Sequence, residues 1–418
     1  MERIMRLSLF TPTHNDKFLL EAYNSLKLQR LEEWEWVIVP NGKIESINEQ
    51  IRKDKRVRIV KGGEQLTNVG ALKRLACDAA SGDVFIEFDH DDLLAPGDTL
   101  DKIREKFQQG AGFVYSDTAV FKFKSGIEPK PHEVLKFESV TWAKKHGWDS
   151  YPIKIYGRDM LANKCFDVSP RSLCEIYYAP DHVRAWSRKA YYEAGGHNRE
   201  LSVCDDQELM IKTYINGATF AHTGGCHYYY RMFESNTVVT RNKEIQTLCK
   251  KLKEQHVQAL IKSWLKQKSY QELDLTELRA KGWDQDRDLL QGFGENQYGH
   301  ISAKSELQRF AGWQVREFMN EAYRALIPGG YLTITVPDSQ SIISYADVEW
   351  QTRFSSVSMQ PYTLAESAKA NGKITCRFQL INCLEDYPTD WHKENNYKYI
   401  RFELVALKGQ RHPGLQHI

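Results

Sequence analysis

Short apolar runs alternate with helix-like segments over roughly the first 117 residues, and this alternation constrains the fold more than any other feature of the chain. The strand-like runs lie at 6–10, 34–39, 57–60, 84–88 and 112–115. Apolar residues recur at helical spacing in 18–31, 44–53, 69–80 and 99–108. Strands that alternate with helices predict an α/β fold with a largely parallel sheet and helices on both of its faces.

Polar residues follow several of the predicted strands. In open parallel sheets, ligands bind beyond the carboxyl ends of the strands, where these side chains would converge. One cleft is therefore expected to collect the five polar residues at these strand ends. They are Thr11, Asn41, Asp89, Asp91 and Asp117.

The segment 82–97 crowds three acidic groups together, because Asp89, Asp91 and Asp92 directly follow an apolar run. Carboxylates crowded at the end of a buried strand resist ionisation unless a positive charge compensates them. Mg²⁺ or Mn²⁺ would supply that charge, since both prefer oxygen ligands and share them with substrate phosphates. The alternative is a solvated acidic turn that caps the next helix, and the segment alone leaves both interpretations open.

Composition places the chain among globular proteins. With 418 residues, 41% of them hydrophobic and 27% charged, two or possibly three domains are expected. The chain contains no apolar window of membrane-spanning length and no signal-peptide core, which predicts a cytoplasmic location. The eight cysteines are scattered, so reduced thiols are expected. A net charge of +2 is too small to indicate a polyanionic partner and does not exclude one.

Over about residues 4–240, motifs in a fixed order resemble the family 2 glycosyltransferases of the GT-A fold. Thr-Pro-Thr-His-Asn follows the first strand at 11–15, Asn68 opens a helix, and Asp-His-Asp-Asp occupies 89–92. Gly-Gly-His-Asn at 195–198 and the acidic pair at 205–206 resemble the family's acceptor-side segment. Tyr-Tyr-Tyr-Arg at 228–231 resembles the aromatic strand near the end of that domain.

The resemblance implies a nucleoside-diphosphate sugar as donor and Mn²⁺ or Mg²⁺ as cofactor. Asp89 and Asp91 would bind the metal. Asp206 would be the general base that deprotonates the acceptor hydroxyl, and the single displacement that follows would invert the anomeric centre. The residues implied in nucleotide-sugar binding are Thr11, Pro12, Thr13, Asn15, Asn41, Asn68, Asp89 and His90. For Asp206, capping of the helix start is the structural alternative. Lys73 and Arg74 could approach the phosphates, although a solvated helix face is the expectation for both.

Some positions depart from the family. Pro40 and Asn41 stand where an acidic pair is common, so the nucleotide base stays open. Phe233 stands near a position where many members carry a metal-binding histidine, and His227, or His222, just upstream is the candidate replacement. Either could instead be a structural histidine in or beside a strand. The Gln-x-x-Arg-Trp signature of processive synthases is absent, which indicates a single-transfer enzyme.

An aromatic and basic stretch separates the two halves of this pattern. In the resembled fold it borders the acceptor side, where it would form an acceptor platform, or else pack as ordinary loop and edge structure. The residues concerned are Trp142, Lys144, Lys145, His146, Trp148, Tyr151, Tyr156 and Arg158.

Residues 241–270 have apolar positions at helical spacing and a basic remainder. This pattern predicts an amphipathic helix or helix pair. Its basic face would either be solvated or contact a phosphate backbone.

Residues 318–337, with Pro-Gly-Gly at 328–330, resemble the later helix and strand of class I S-adenosylmethionine-dependent methyltransferases. The Gly-rich loop that would bind the cofactor has no counterpart upstream, so no S-adenosylmethionine binding is expected. The predicted domains are therefore a glycosyltransferase domain (1–240), a basic helical linker (241–282) and a truncated methyltransferase-like domain (283–418). The last would serve structure, homo-oligomerisation or acceptor binding.

The sequence thus predicts a metal-dependent inverting glycosyltransferase with a hydroxyl acceptor, which is a glycan, a lipid-linked saccharide, a protein or a nucleic acid. Its organisation resembles enzymes of large bacterial viruses, some of which glycosylate hydroxymethylated bases in their own DNA. Duplex DNA is accordingly one acceptor hypothesis, with the host cytoplasm as location. The rival hypothesis is a non-catalytic nucleotide-binding or scaffold protein.

Overall fold

The computed structural model describes residues 5–41, 47–123, 137–141, 148–175, 179–282 and 293–409. The chain forms two compact units that divide between Leu260 and Ile261. That boundary falls inside a helix of the segment predicted to be a linker.

The N-terminal unit alternates strands and helices as predicted. Its strands are β1 (Leu7–Thr13), β2 (Trp34–Pro40), β3 (Val57–Ile59), β4 (Val84–Glu87), β5 (Leu93–Leu94), β6 (Phe113–Phe123), β7 (Phe137–Val140), β8 (Ser150–Ile155), β9 (Arg158–Asn163), β10 (Arg184–Ser187) and β11 (Phe220–Met232). Its helices are α1 (Leu19–Lys27), α2 (Glu49–Lys53), α3 (Val69–Ala79), α4 (Thr99–Gln108), α5 (Pro170–Glu175), α6 (Arg188–Glu193), α7 (Asp205–Ile215) and α8 (Thr237–Thr240). Helix α9 (Asn242–Lys268) contains the boundary between the units.

These strands form one mixed sheet in the order β3-β2-β1-β4-β10-β6-β11-β5, with β7 and the β8–β9 hairpin attached to β6. Strands β2, β1 and β4 pair in parallel, and so do β6 and β11. Strand β10 runs antiparallel between β4 and β6. The α/β prediction with a mostly parallel sheet is confirmed for this unit.

Helices cover both faces of the sheet. On one face, Val84 and Ile86 of β4 pack into a core that includes Leu26 of α1 and Ile103 of α4. On the other face, Phe85 packs edge-on against Tyr191 of α6 at a centroid distance of 5.0 Å. Alternate side chains of one strand therefore enter two different cores, as the two-residue strand period requires.

Two predicted strand ends lie inside longer strands. Strand β1 continues through Thr13, and β6 continues through Phe123. Thr11 tolerates this position because its buried hydroxyl donates to Phe88 O (2.5 Å) and accepts from Trp36 Nε1 (2.7 Å). Asp117 likewise finds partners, since its carboxylate accepts from Tyr151 Oη (2.8 Å) and from the Cys165 amide (2.7 Å). Buried polar groups with hydrogen-bond partners do not end a strand.

The C-terminal unit is a smaller α/β structure. Its sheet has the order β12 (Gln271–Asp274), β13 (Tyr298–Lys304), β14 (Leu326–Pro337), β16 (Tyr399–Ala406) and β15 (Phe378–Asp386). Its helices are α10 (Leu275–Ala280), α11 (Gly312–Ala325), α12 (Gln360–Thr363), α13 (Ala365–Ala370) and α14 (Asp390–Glu394). The Pro-Gly-Gly segment lies within β14, where the register against β13 shifts, because Gly329 takes a φ of 75°.

Helix α9 confirms the amphipathic pattern predicted for 241–270. Ile245, Leu252 and Val257 are buried, as are Leu260 and Ile261. The exposed lysines of the helix are Lys243, Lys250, Lys251, Lys262, Lys266 and Lys268.

All eight cysteines are free, as expected. Among the helices in the described part of the chain, none has the length and apolarity needed to cross a membrane.

The Thr11 hydroxyl gives a test of the β1 packing. Thr11→Val keeps the shape of the side chain and leaves Trp36 Nε1 and Phe88 O without their partner, so we expect a loss of about 1–3 kcal/mol in the free energy of unfolding. Thr11→Ser keeps the hydroxyl and should lose less. Urea denaturation followed by tryptophan fluorescence measures both, and equal losses would contradict the assignment.

Candidate active site

Strand β4 ends at Glu87, so the acidic segment with Asp89, Asp91 and Asp92 lies at the edge of the sheet. The side chain of Asp89 is 33% exposed, and its amide donates to the Tyr228 hydroxyl (3.1 Å). Burial raises the pKa of Asp89, His182 opposes that rise, and Glu87 adds to it. The Asp89 carboxylate thus lacks full charge compensation from the protein.

The three aspartates of the segment have different environments. Asp91 is half-buried like Asp89. Asp92 is buried, and its Oδ1 accepts from the Arg231 amide (2.7 Å). Burial, Asp91 and Asp89 together raise the pKa of Asp92 well above its usual range. Asp89 and Asp91 therefore face outward, whereas Asp92 anchors the segment to β11.

Asp89 and Asp91 fit a hard divalent cation. They offer carboxylate oxygens at a partly exposed site, and the raised pKa of Asp89 shows that a positive charge there would be favourable. Within the described residues, no group of three or more His, Cys, Asp or Glu is arranged to hold a metal. A cation at this place would accordingly take its remaining ligands from a substrate and from water.

His227 has neighbours other than this pair. Its Nδ1 lies 3.1 Å from Thr99 Oγ1, and the charges that act on its pKa, after the burial that lowers it, are those of Asp98, His222 and Lys102. The pairing of β11 with β6 shifts between Cys226 and Tyr228, which leaves His227 as an extra residue in a bulge. In this structure His227 contacts Thr99, and the set of Asp89, Asp91 and His227 as metal ligands stays a prediction.

Lys73 of α3 lies at the centre of the charged groups, not on a solvated helix face as expected. It is buried, forms an ion pair with Glu87, and has its Nζ 3.2 Å from Asp205 Oδ2. Burial would lower the pKa of Lys73, but Asp205 and Glu87 outweigh it and hold the pKa well above the usual value. The sequence contains both residues, a lone glutamate in an apolar run and a lysine on the preceding helix, but it does not show that they pair.

The acidic pair opens α7, and its two members differ. Asp205 is buried, and its Oδ2 lies 3.6 Å from His197 Nε2. Burial raises the pKa of Asp205 to about 7, although Lys73 acts against the rise. This carboxyl faces the interior.

Asp206 faces outward, with 22% of its side chain exposed. Its Oδ2 accepts from the buried guanidinium of Arg184, and its Oδ1 accepts from the Gln207 amide (2.8 Å). Burial would raise the pKa of Asp206, but Arg184 and Lys73 overcome that effect and lower it. Of the two acids, Asp206 is the one that is both ionised and accessible.

His182 is a site residue that sequence reasoning missed. Its buried Nε2 lies 3.9 Å from both Glu87 Oε2 and Asp89 Oδ2. The ring stacks on Tyr228 at a centroid distance of 4.8 Å, which places it between the acidic segment and β11. The only signal was its position directly after Ala-Pro-Asp at 179–181.

The predicted nucleotide-binding residues form two groups. In the first, Thr13 Oγ1 donates to Asn15 O (2.5 Å), the Asn41 amide donates to Thr13 O (2.9 Å), and Asn15 Nδ2 lies 3.2 Å from His90 Nε2. Pro12 is half-buried beside them, whereas the Thr11 hydroxyl is committed to the core.

In the second group, Asn68 stands at the start of α3 and its Nδ2 donates to Arg199 O (3.2 Å). Gly70 lies against the same segment, because a Cβ at Gly70 would stand 2.0 Å from Asn198 O. Among the aromatic and basic residues, Trp142, Lys144, Lys145 and His146 lie outside the described residues.

Comparison with known families decides the class of enzyme. Residues 8–171 match the family described as Glycosyl transferase family 2. The protein is a glycosyltransferase. The match includes the acidic segment and ends before the Asp205–Asp206 pair, and it spans under half of the chain.

Solved structures give a more distant likeness. A crystal structure of S. aureus TarS 1-349 in complex with UDP-GlcNAc is 15% identical, with a TM-score of 0.43, and the alignment covers 77% of this chain and 82% of that chain. Another structure of the same fragment is 16% identical, with a TM-score of 0.41, over 77% and 81%. These values are too low to support an argument about function. No curated protein matched the chain.

Lys73 gives a test of the buried charges of this site. Lys73→Met leaves Glu87 and Asp205 without their cation, so we expect a loss of about 3–5 kcal/mol in the free energy of unfolding. The matched control is Lys189→Met, because Lys189 is 83% exposed in its pair with Glu193 and should change stability by less than about 0.5 kcal/mol. Urea denaturation of both variants measures the difference, and similar losses would show that Lys73 does not hold the site together.

Proposed function

We propose that the glycosyltransferase is metal-dependent and inverting, and that it moves one sugar from a nucleoside diphosphate to an acceptor hydroxyl. The proposal rests on the environment of Asp206, an ionised and accessible carboxylate. Asp206 belongs to the same network of charged groups as Glu87 at the end of β4. The rival hypothesis of a non-catalytic protein gives no reason for an accessible carboxylate held by a buried arginine.

Asp206 acts as the general base. It takes the proton of the acceptor hydroxyl as the oxygen attacks the anomeric carbon, while the bond from that carbon to the diphosphate breaks on the opposite side. The sugar is transferred with inversion, and the nucleoside diphosphate leaves with the bonding electrons. Arg184 holds Asp206 in place through the guanidinium that contacts Oδ2.

The donor would lie against the strand ends of β1, β2 and β4. The backbone of Pro12 and the backbone and side-chain amides of Asn15 and Asn41 would form hydrogen bonds with the base and ribose of the donor. Asn68, at the start of α3, would lie on the other side of the donor. Asp89 and Asp91 would hold Mn²⁺ or Mg²⁺, which offsets the charge that develops on the departing diphosphate. The base of the donor nucleotide is left open, so several nucleotides and nucleotide sugars are compared.

The acceptor and the C-terminal unit are assigned more broadly. Duplex DNA is one candidate acceptor beside a glycan, a lipid-linked saccharide and a protein, and the exposed lysines of α9 would contact its phosphates. Helix α11 leads directly into β14, which supports a truncated methyltransferase-like unit with a structural, dimerising or acceptor-binding role. We propose the host cytoplasm of a bacterial virus as its setting.

Donor binding can be measured by thermal shift. UDP, UDP-GlcNAc and the corresponding GDP, ADP and CDP compounds are compared with and without Mn²⁺, since a ligand that binds only the folded protein raises its Tm. We expect one nucleotide to raise the Tm in a metal-dependent manner, and Asp91→Asn to abolish the metal-dependent part. Asp78→Asn, on the exposed end of α3, is the control. A shift that is equal in both variants would remove Asp91 from the metal site.

The identity of the base can be tested by mutation and pH. Asp206→Asn should lower kcat by about 10²- to 10⁴-fold while donor binding is retained. Glu193→Gln, an exposed carboxyl on α6, is the control and should leave kcat unchanged.

The pH profile distinguishes the two acids. A base works only when ionised, so kcat/KM falls as the pH drops through its pKa. The pKa of Asp206 lies below the ordinary 3.8, so kcat/KM should stay on its plateau down to about pH 4. A limb near pH 7 would instead indicate Asp205, whose pKa is raised to about 7.

A further inference from the structure

A cavity of about 770 Å³ opens in the N-terminal unit, on residues that the proposed reaction does not use. Its walls come from the segment 95–98 before α4, from Asp117 of β6, from β8, and from the bulge of β11 at 224–227. Pockets of 300–1,000 Å³ are the usual size for small-molecule sites. The cavity is therefore large enough for one or two sugar rings.

The cavity and the candidate base share a face of the sheet. Arg184, which holds Asp206, is paired with Tyr115 in the ladder between β10 and β6. Asp117 is two residues further along β6, so its side chain lies on the same face as those of Tyr115 and Arg184. Strand geometry places the Cα atoms of Arg184 and Asp117 roughly 8 Å apart. The cavity wall at Asp117 is therefore next to the strand that carries Arg184, the residue whose guanidinium contacts Asp206.

The walls combine aromatic rings with hydrogen-bonding groups. Tyr151 is half-buried, and its hydroxyl is fixed by Asp117 Oδ2 at 2.8 Å, so its ring is held in place at the wall. Tyr229 lines the same wall. His227 Nε2 lies beside Gly225, because a Cβ at that glycine would be 3.7 Å from it. Flat rings with a few fixed polar groups suit the apolar faces and hydroxyls of a sugar.

The charge of the lining argues against a polyanion. Three carboxylates line the cavity, from Asp98, Asp117 and Asp149, against the ammonium groups of Lys154 and Lys164. Lys154 also contacts Asp159 at 2.7 Å, which offsets its charge. A phosphate backbone would meet no excess of positive charge here, whereas a neutral hydroxyl can donate to the carboxylate of Asp98.

We propose that this cavity is the acceptor site and that the acceptor is a neutral saccharide. The assignment rests on the proposed function, because it takes Asp206 as the base that receives the proton of the bound hydroxyl. His227 and the Tyr151 ring are then specificity-determining residues for the acceptor.

Gly225 allows the cavity to be filled without disturbing the fold. A Cβ at Gly225 makes only an ordinary contact with His227, and a longer side chain there would extend into the cavity. Gly225→Trp is the blocking variant and Gly225→Ala is the matched control at the same position. Circular dichroism and the UDP thermal shift show whether each variant is folded and still binds the donor nucleotide.

Saturation-transfer NMR measures binding directly, with glucose, N-acetylglucosamine, cellobiose and chitobiose as probes. We expect at least one of these sugars to bind the wild type and Gly225→Ala, and to bind Gly225→Trp roughly tenfold more weakly or not at all. In transfer assays the KM for that sugar should rise in Gly225→Trp while donor hydrolysis is unchanged.

The opposing results are equally specific. Binding of no probe sugar by the folded wild type, or equal binding by folded Gly225→Trp, would overturn the assignment. So would binding of a hydroxymethylcytosine duplex that Gly225→Trp abolishes and salt weakens steeply, since this would identify DNA as the acceptor in the cavity. Sugar binding without any nucleotide shift would leave the cavity assigned and would refute the proposed donor chemistry instead.

Discussion

The ion pairs of Lys73 hold together the elements that build the site. Its ammonium group joins Glu87 at the end of β4 to Asp205 at the start of α7, and all three groups are buried. An unpaired buried charge would lower the free energy of unfolding by several kcal/mol. The ion pairs form only when α3, β4 and α7 are packed together in their native positions. These pairs link the end of β4, which precedes the acidic segment, to the start of α7, where Asp206 follows Asp205. The same lysine helps to lower the pKa of Asp206.

The arrangement divides four carboxylates into two kinds. Glu87 and Asp205 are enclosed and compensate Lys73, whereas Asp89 and Asp206 are partly exposed. Arg184 contributes to this division, because its guanidinium contacts Asp206 and has its Nη1 3.7 Å from Glu87 Oε2. Positive charge is thus concentrated on the side of Asp206 and is deficient at Asp89.

The sequence allowed the α/β class and the order of strands and helices over about the first 117 residues to be predicted, because these follow from local periodicity. It did not predict which polar residues are satisfied internally. Thr11 and Asp117 lie within strands because Trp36, Tyr151 and other distant residues bond to them. The burial of Lys73 and the place of His182 depend on partners far apart in sequence, which periodicity does not reveal. The contact of His227 with Thr99 was not predicted either, because a bulge cannot be read from the alternation of its strand.

That bulge in β11 explains how one strand can contribute to two sites. The Tyr228 hydroxyl accepts a hydrogen bond from the Asp89 amide, and the Tyr228 ring stacks on the ring of His182. The residue before it, His227, lines the cavity beside Gly225. Without the extra residue, the pairing of β11 with β6 would place different side chains at the two positions. The bulge therefore determines which side chains of β11 lie at these two positions.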